Sequence, residues 1–209
     1  MRKVYINCGL HNGESLRKFL MSKNYDMDFD VYCFEANPIV YKEYKYSEKC
    51  RVVYKRRKRV LYDKICRIYN KAVWSKDGAI DFYVGKKDNT SRGCSLIKEK
   101  ISGGLDLNNP ISVPSFDFSR WILDNFNKDD YIIMKMDIEG AEYDILPHMF
   151  KHWNHCHGGN ISSLSVEFHR DFFPEKDLNF WGGAPYYCGH FIMNIIKHGV
   201  CFNWWPGEW

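Results

Sequence analysis

The fold is indicated most clearly by one stretch of the chain, which reads Tyr131-Ile132-Ile133-Met134-Lys135-Met136-Asp137-Ile138-Glu139-Gly140-Ala141-Glu142. Its first half is apolar, as expected of a strand buried inside a parallel sheet. Its second half carries acidic residues around a glycine, which suits a helix start because the positive end of a helix dipole attracts carboxylates. The stretch predicts a strand over 131–137 and a helix over 140–149, which Pro147 can end early.

The same alternation extends to both sides of this stretch. Apolar runs predict strands, and amphipathic runs predict helices. The predicted strands are 3–7, 30–35, 51–54, 67–73, 79–84, 161–168 and 200–205; the predicted helices are 14–23, one beginning at Pro38, 119–125 and 189–198. The strands 67–73 and 79–84 are expected to form a hairpin through the turn 76–78. The pattern predicts an α/β fold with a doubly wound, mostly parallel sheet.

Length and composition limit the class of protein. With 209 residues, 45% hydrophobic and 27% charged, the chain is expected to form a single globular domain over 1–209. No apolar stretch is long enough to predict a membrane span. Eight cysteines without a CxxC pair, and no apolar leader after Met1, favour a reducing, cytosolic location. A net charge of +4 makes a nucleic-acid partner unlikely.

Two motifs follow predicted strands near the N-terminus, where ligands of doubly wound sheets bind. The first is Asn7-Cys8-Gly9-Leu10-His11-Asn12-Gly13-Glu14-Ser15, a glycine turn between a strand and a helix. Such a turn suits nucleotide binding, although it can also be a plain connection. The second is Phe34-Glu35-Ala36-Asn37-Pro38, in which Glu35 can accept hydrogen bonds from ribose hydroxyls and Asn37 can cap a helix.

Two further strand ends carry ionisable groups. Asp137, Glu139 and Glu142 lie so close in sequence that their charges need a cation, a proton or a ligand to offset them. A helix start explains Glu139 and Glu142 well but Asp137 less well. The strand predicted over 161–168 leads into the fourth such strand end, Val166-Glu167-Phe168-His169.

Together these motifs resemble the FkbM-type family of S-adenosylmethionine-dependent methyltransferases. The resemblance covers roughly residues 3–170 and is most specific over the acidic run. It is carried, in the family's order, by the stretches 7–15, 34–38, 135–142, 144–146 and 166–169. It implies a class I methyltransferase-like, Rossmann-like fold and the methylation of a hydroxyl on a sugar or another small molecule.

The resemblance also implies which residues bind S-adenosylmethionine. Asn7, Gly9, Gly13 and Ser15 would surround the methionine part, and Glu35 would hold the ribose. The remaining implied cofactor-binding residues are Ala36, Asn37, Ala72, Val73 and Asp137. The chain departs from the family pattern at Asn7, where aspartate is usual, and at His11, where asparagine is common.

A sugar hydroxyl is barely ionised at neutral pH, so its methylation needs a general base or a metal ion. The candidate catalytic residues are Asp137, Glu139 and His169. We expect His169 to be the base, because its ordinary pKa near 6.5 suits proton transfer at neutral pH; a structural role in the core is the alternative. A divalent ion, Mg²⁺ or Mn²⁺, would be held by Asp137 and Glu167.

The expected partner is a carbohydrate acceptor. It would be covered by a long insertion near 86–112 and by an aromatic C-terminal region over 170–209, because tryptophan and tyrosine stack well on sugars. Two alternatives remain from the sequence. One is a nucleotide-sugar enzyme or another enzyme with an adenosine cofactor; the other is a non-catalytic nucleic-acid-binding module that uses the basic run Lys55-Arg56-Arg57-Lys58-Arg59. The expected location of the protein is the cytoplasm, either that of a bacterial cell or, if the protein is viral, that of the host cell.

Overall fold

The computed structural model describes residues 1–22, 25–26, 28–44, 49–56, 59–90, 93–153, 161–169, 184–197 and 199–204. The strands are β1 (Lys3–Cys8), β2 (Phe29–Phe34), β3 (Lys49–Arg56), β4 (Arg59–Tyr69), β5 (Ala72–Trp74), β6 (Gly78–Phe82), β7 (Ile111–Asp117), β8 (Tyr131–Met136), β9 (Ile161–Val166) and β10 (Cys201–Trp204). The helices are α1 (Glu14–Leu20), α2 (Pro38–Lys42), α3 (Phe118–Asn125), α4 (Glu142–Trp153) and α5 (Ala184–Lys197).

The main sheet has the strand order β10-β9-β8-β1-β2-β4-β3. All its neighbouring strands pair in parallel except β3, which pairs with β4 in the antiparallel sense. The chain moves outward in one direction from β1 to β2 and β4, and in the other from β8 to β9 and β10. This reversal confirms the doubly wound sheet and places its switch point between β1 and β8.

Alternate residues of the central strand face opposite sides of the sheet, as the pleat requires. Val4 and Ile6 of β1 pack in a core with residues of α3 and α4. Tyr5 packs on the other side, where its ring stacks on Phe19 of α1 with centroids 3.8 Å apart. Helices therefore cover both faces of the sheet, which explains why the central strands are apolar at nearly every position.

The expected hairpin of 67–73 with 79–84 does not form. The first of these segments is split, because β4 ends at Tyr69 in the main sheet and β5 begins at Ala72 in a second sheet. This second sheet has the order β5-β7-β6, so β7 lies between the two segments that were expected to pair. The sequence patterns do not predict β7, whose first residue, Ile111, lies within the expected insertion near 86–112.

The expected early end of the helix at Pro147 is also wrong, because α4 continues through Pro147 to Trp153. Proline lacks one backbone donor and disturbs one turn, and the packing of neighbouring residues compensates for that loss. Ile145, Leu146 and Met149 are all buried in the core beside Pro147. Within the described residues, the structure contains no helix that could cross a membrane.

The end of β1 is fixed between its two neighbours. Gly9 donates its N–H to the carbonyl of Phe34 at 3.1 Å, and Asp137 donates its N–H to the carbonyl of Cys8 at 3.1 Å. Gly9 has a φ of +84°, and a Cβ on it would lie 1.9 Å from the carbonyl oxygen of Asp137. Glycine is therefore required here by the neighbouring backbone, a constraint distinct from the close approach of a ligand.

We expect Gly9→Ala to reduce the free energy of unfolding by roughly 2–5 kcal/mol, because alanine adds both a clash and an unfavourable φ. Chemical denaturation followed by circular dichroism measures this loss. Gly189→Ala in α5 is the matched control, since no described heavy atom lies within 4 Å of the added Cβ. That control should be neutral or stabilising by up to about 1 kcal/mol. Equal stability of the Gly9 variant and the wild type would contradict the close approach described here.

Candidate active site

A cavity of about 460 Å³ opens beyond the carboxyl ends of the central strands. It is lined by the turn after β1, the ends of β2, β5, β8 and β9, and part of the segment between β6 and β7. Most residues that the sequence predicted for cofactor binding line this cavity, namely Gly9, Ser15, Glu35, Ala36, Asn37, Ala72, Val73 and Asp137. Asn7 and Gly13 lie outside its lining; Gly13 instead forms the N-terminal cap of α1 with a φ of +74°.

Glu35 lies at the end of β2 and is held by backbone donors. Its carboxylate accepts the N–H of His11 and the N–H of Asn37, each at 2.7 Å. Burial raises the pKa of Glu35, and the two backbone hydrogen bonds offset part of that rise. Asn37 also caps α2, because its side-chain oxygen accepts the N–H of Ile39 at 3.0 Å. The sequence interpretation of Asn37 as a helix cap is therefore confirmed.

Two buried acceptors beside the cavity have no donor among the described residues. Asn7 donates its side-chain N–H to the hydroxyl of Ser15 at 2.9 Å, which leaves its carbonyl oxygen unpaired. The Nε2 of His11 lies 2.9 Å from the carbonyl of Thr90, an acceptor, so Nε2 carries the proton and the acceptor is the unpaired Nδ1. A buried acceptor without a donor costs about 1–3 kcal/mol, so a ligand with N–H or O–H groups fits this turn.

The insertion forms a wall of the same cavity. Asn37 donates its side-chain N–H to the carbonyl of Asn89 at 2.6 Å, and Cys94 and Leu96 line the cavity. Together with the contact between His11 and Thr90, these interactions attach the insertion to the turns after β1 and β2. The insertion therefore contributes to the wall of the cavity.

Lys135 connects the turn after β1 with the end of β8. Its ammonium donates to the carbonyl of Gly9 at 2.9 Å and lies 2.9 Å from the carboxylate of Asp137. The side chain is almost fully buried, at 2% exposed, and it lines the cavity. Lys135 therefore balances the charge of Asp137 from within the fold.

Glu142 begins α4 and organises the acidic loop before it. One carboxylate oxygen accepts the N–H of Ile138 and the other accepts the N–H of Gly140, each at 2.8 Å. The residue is completely buried. The interpretation of Glu142 as part of a helix start is consistent with these bonds, which a carboxylate at that position is well placed to accept.

Glu139 has a left-handed backbone, with a φ of +59°, which is uncommon for a residue with a side chain. Its carbonyl accepts the hydroxyl of Ser95 at 2.6 Å, and its carboxylate pairs with Lys100. The carboxylate also lies 3.2 Å from the Nε2 of His169. Burial would raise the pKa of Glu139, but the bonds from His169 and Lys100 outweigh it and lower that pKa.

His169 lies among carboxylates. Its Nδ1 is 3.2 Å from Glu142, and its Nε2 is 3.8 Å from Asp137 and 3.9 Å from Glu167 in addition to its contact with Glu139. Burial lowers the pKa of His169, but the bonds to Glu139 and Glu142 and their charges raise it to about 11. The expected pKa near 6.5 is therefore wrong for this environment, and the imidazole is a cation at neutral pH. An imidazolium has no lone pair with which to accept a proton.

The two predicted metal ligands, Asp137 and Glu167, both lie near His169, and a second set of groups could hold a metal ion. Asp137, Glu142 and His169 each offer a ligand atom within 4.8 Å of the others. Glu142 already accepts two backbone N–H groups, and Asp137 is already paired with Lys135. A metal ion at this place would compete with these internal partners.

Sequence reasoning missed Lys135 and Lys100 as residues of the site. Lys135 could have been recognised, because it lies within an otherwise apolar strand and a buried lysine needs a partner. Lys100 gave no comparable signal, because it lies in a polar loop that pairs with the acidic loop only through the tertiary fold. The tryptophans Trp181, Trp205 and Trp209 and half of the region 170–209 lie outside the described residues. The side chains of the basic run 55–59 lie outside them as well.

The parallel sheet flanked by helices, with a cavity at its switch point, defines a Rossmann-like fold of the methyltransferase type. A family model described as Methyltransferase FkbM domain matches residues 7–192. The chain therefore belongs to the FkbM methyltransferase family, as the motifs at its strand ends indicated. No curated protein and no solved structure matches the chain.

We expect His169 to stay doubly protonated between pH 6 and pH 8, because its pKa is raised to about 11. Nitrogen-15 NMR of the histidine side chains measures this directly, and His169→Gln assigns the signal. The raised pKa also stabilises the fold most below about pH 6.5, and this contribution is lost as the pH rises towards 11. The free energy of unfolding lost in His169→Gln should therefore shrink from pH 6 to pH 9. A His169 signal that titrates between pH 6 and pH 7 would contradict this environment.

Proposed function

We propose that this protein is an S-adenosylmethionine-dependent O-methyltransferase that acts on a hydroxyl of a carbohydrate. The proposal rests mainly on one observation, which is that a single cavity joins Glu35 at the end of β2 to the acidic groups at the ends of β8 and β9. The Glu35 carboxylate is placed for a ribose, and the acidic groups at the ends of β8 and β9 are placed for an acceptor. The family supports methyl transfer as the reaction between them.

The residues around the first half of the cavity fit the proposed cofactor. The Glu35 carboxylate retains lone pairs for ribose hydroxyls after its two backbone hydrogen bonds. The unpaired oxygen of Asn7 and the unpaired Nδ1 of His11 are acceptors, which suit an ammonium or hydroxyl donor. Ala72 and Val73 provide small apolar surface for an adenine. Bound there, S-adenosylmethionine would supply a methyl group on a positively charged sulfur.

The second half of the cavity fits an acceptor with hydroxyl groups. Asp137, Glu139 and Glu167 line it with carboxylates, which accept hydrogen bonds from a polyhydroxy compound. Holding one hydroxyl in line with the donor lowers the barrier because the reacting groups no longer have to find each other. These carboxylates support a carbohydrate acceptor, in agreement with the substrates that the resemblance implied.

We propose that Glu167 accepts the proton of the hydroxyl. Asp137 is occupied by Lys135, and Glu139 is occupied by Lys100 and His169. Among the described residues, the nearest cation that Glu167 contacts is His169, whose Nε2 lies 3.9 Å from the carboxylate. The side chain of Glu167 is 39% exposed. His169, Asp137 and Glu139 would then act by orienting the acceptor and by balancing charge as the proton moves.

A metal-assisted reaction is the second candidate, and the ligand atoms of Asp137, Glu142 and His169 favour it. Asp137 and Glu167 would be the ligands on the cavity side, as the sequence predicted, and Mg²⁺ or Mn²⁺ would suit their oxygens. The internal cations Lys100 and Lys135 argue for the metal-free reaction, because they already offset the carboxylates.

We further propose that residues 1–209 work as a single methyltransferase domain, with the region 170–209 on the acceptor side. The wall that Asn89, Cys94 and Leu96 form supports this arrangement, because the insertion already contributes one side of the cavity. A cytoplasmic location fits the free thiols of Cys8 and Cys201.

We expect Glu35→Gln to weaken the binding of S-adenosylmethionine and S-adenosylhomocysteine by about 10- to 100-fold, because a charge-assisted hydrogen bond contributes about 1.5–3 kcal/mol. Isothermal titration calorimetry measures both affinities. Glu43→Gln is the control, because Glu43 is exposed at the end of α2 and does not line the cavity. Mass spectrometry of ligand released from the purified protein tests the alternative, since a nicotinamide dinucleotide would overturn the proposed cofactor.

The reaction itself is tested by transfer of a labelled methyl group to a panel of neutral glycans. We expect turnover to persist in excess EDTA, and Glu167→Gln to reduce it by roughly 10²–10⁴-fold without changing cofactor affinity. The reduction follows from the loss of the proton acceptor. Loss of turnover in EDTA with recovery on adding Mg²⁺ or Mn²⁺ would instead establish the metal-assisted reaction. Full turnover of Glu167→Gln would remove Glu167 as the base.

A further inference from the structure

Lys100 is a buried cation that comes from outside the sequence motifs. It belongs to the insertion between β6 and β7, yet its side chain is only 1% exposed. Its ammonium donates to the carbonyl of Gly93 at 3.1 Å and pairs with the carboxylate of Glu139. A lysine is almost never buried in this way unless a specific partner offsets the loss of hydration. The partner here is a carboxylate that lines the cavity.

The same segment holds the backbone of Glu139. The hydroxyl of Ser95 donates to the Glu139 carbonyl at 2.6 Å, and it also accepts the N–H of Ile97 at 2.9 Å. A Cβ added to Gly140 would lie 3.4 Å from the side chain of Ile97. The insertion therefore holds Glu139 through its backbone and through its side chain, while the residue keeps a left-handed φ. Strained residues that are held from several sides often occur in functional sites.

We propose that Lys100 is a positioning residue of the transfer site, which directs the Glu139 carboxylate towards His169 and offsets part of its charge. This inference rests on the proposed function, because it concerns the charge that the proposed cofactor meets in the cavity. Without Lys100, the Glu139 carboxylate keeps His169 as a partner, but the net charge around the carboxylate becomes more negative. A ligand that carries a positive charge is then attracted more strongly than a neutral ligand of the same shape.

S-Adenosylmethionine and S-adenosylhomocysteine form such a pair, because they differ by one methyl group and one positive charge. We expect Lys100→Gln to raise the ratio of their affinities, in favour of S-adenosylmethionine, by about 3- to 10-fold. Calorimetry measures both affinities on each variant and needs no acceptor. Glutamine keeps a hydrogen-bond donor for Gly93, so the variant removes the charge with little change in packing. Lys100→Met is the second variant, in case glutamine alone disturbs the fold.

Three controls separate positioning from general damage. Lys98→Gln changes an exposed lysine of the same segment and should leave the ratio unchanged. Lys100→Arg should restore the wild-type ratio, because arginine keeps the charge. In a Glu139→Gln background, Lys100→Gln should raise the ratio by a smaller factor, because the part of its effect that depends on the Glu139 carboxylate is already absent.

The outcomes are distinct. A raised ratio that arginine restores and that Glu139→Gln makes smaller supports the positioning role. An unchanged ratio, an equal fall of both affinities, or the same rise in both backgrounds would overturn it. Failure of the wild type to bind either compound would overturn the proposed function, and the inference would fall with it.

Discussion

The turn after β1 lies against the backbone of the loop after β8, and this contact sets the position of the groups around the cavity. A Cβ on Gly9 would lie 1.9 Å from the carbonyl oxygen of Asp137, so the two chain segments are as close as backbone atoms allow. Because Gly9 also bonds to the end of β2, the strand ends that carry Glu35 and Asp137 are fixed relative to each other. Lys135 adds a bond between its ammonium and the Gly9 carbonyl. One cavity can therefore present the Glu35 carboxylate and an acidic group at a constant separation.

The acidic group is stable because cations from different parts of the chain reach it. Lys135 comes from the central strand, Lys100 from the insertion and His169 from the end of β9. Glu142 is satisfied differently, by the backbone of the loop that it organises. The carboxylates thus have internal partners in a partly buried place. The same arrangement turns His169 into a cation and leaves Glu167 as the carboxylate with the greatest exposure.

The sequence predicted those parts of the fold that follow from local patterns. Apolar runs identified β1, β2, β8 and β9, and their succession identified the parallel sheet. Asn37 before Pro38 identified the start of α2. The pairing of β7 between β5 and β6 was missed, because it depends on a contact across the insertion and not on any local pattern. The burial of Ile145, Leu146 and Met149 likewise overrides the tendency of Pro147 to end a helix.

The sequence predicted those site residues that belong to a motif, and it missed those that only the tertiary fold brings to the site. Gly9, Glu35 and Asp137 follow strands directly, so the rule for parallel sheets places them at one edge. The pKa of His169 could not be predicted, because it depends on Glu139 and Glu142 at hydrogen-bond distance. Lys100 was missed for the same reason, since Glu139 is distant in sequence. Ionisable groups take their properties from neighbours that only the folded chain brings together.

We propose that the cavity at the switch point binds S-adenosylmethionine between Glu35 and the acidic groups at the ends of β8 and β9. A crystal structure of the protein with S-adenosylhomocysteine would test this binding mode. We expect the ribose hydroxyls at the Glu35 carboxylate and the sulfur on the side of Asp137. A ligand bound elsewhere, or bound in the reverse direction with its ribose away from Glu35, would contradict it.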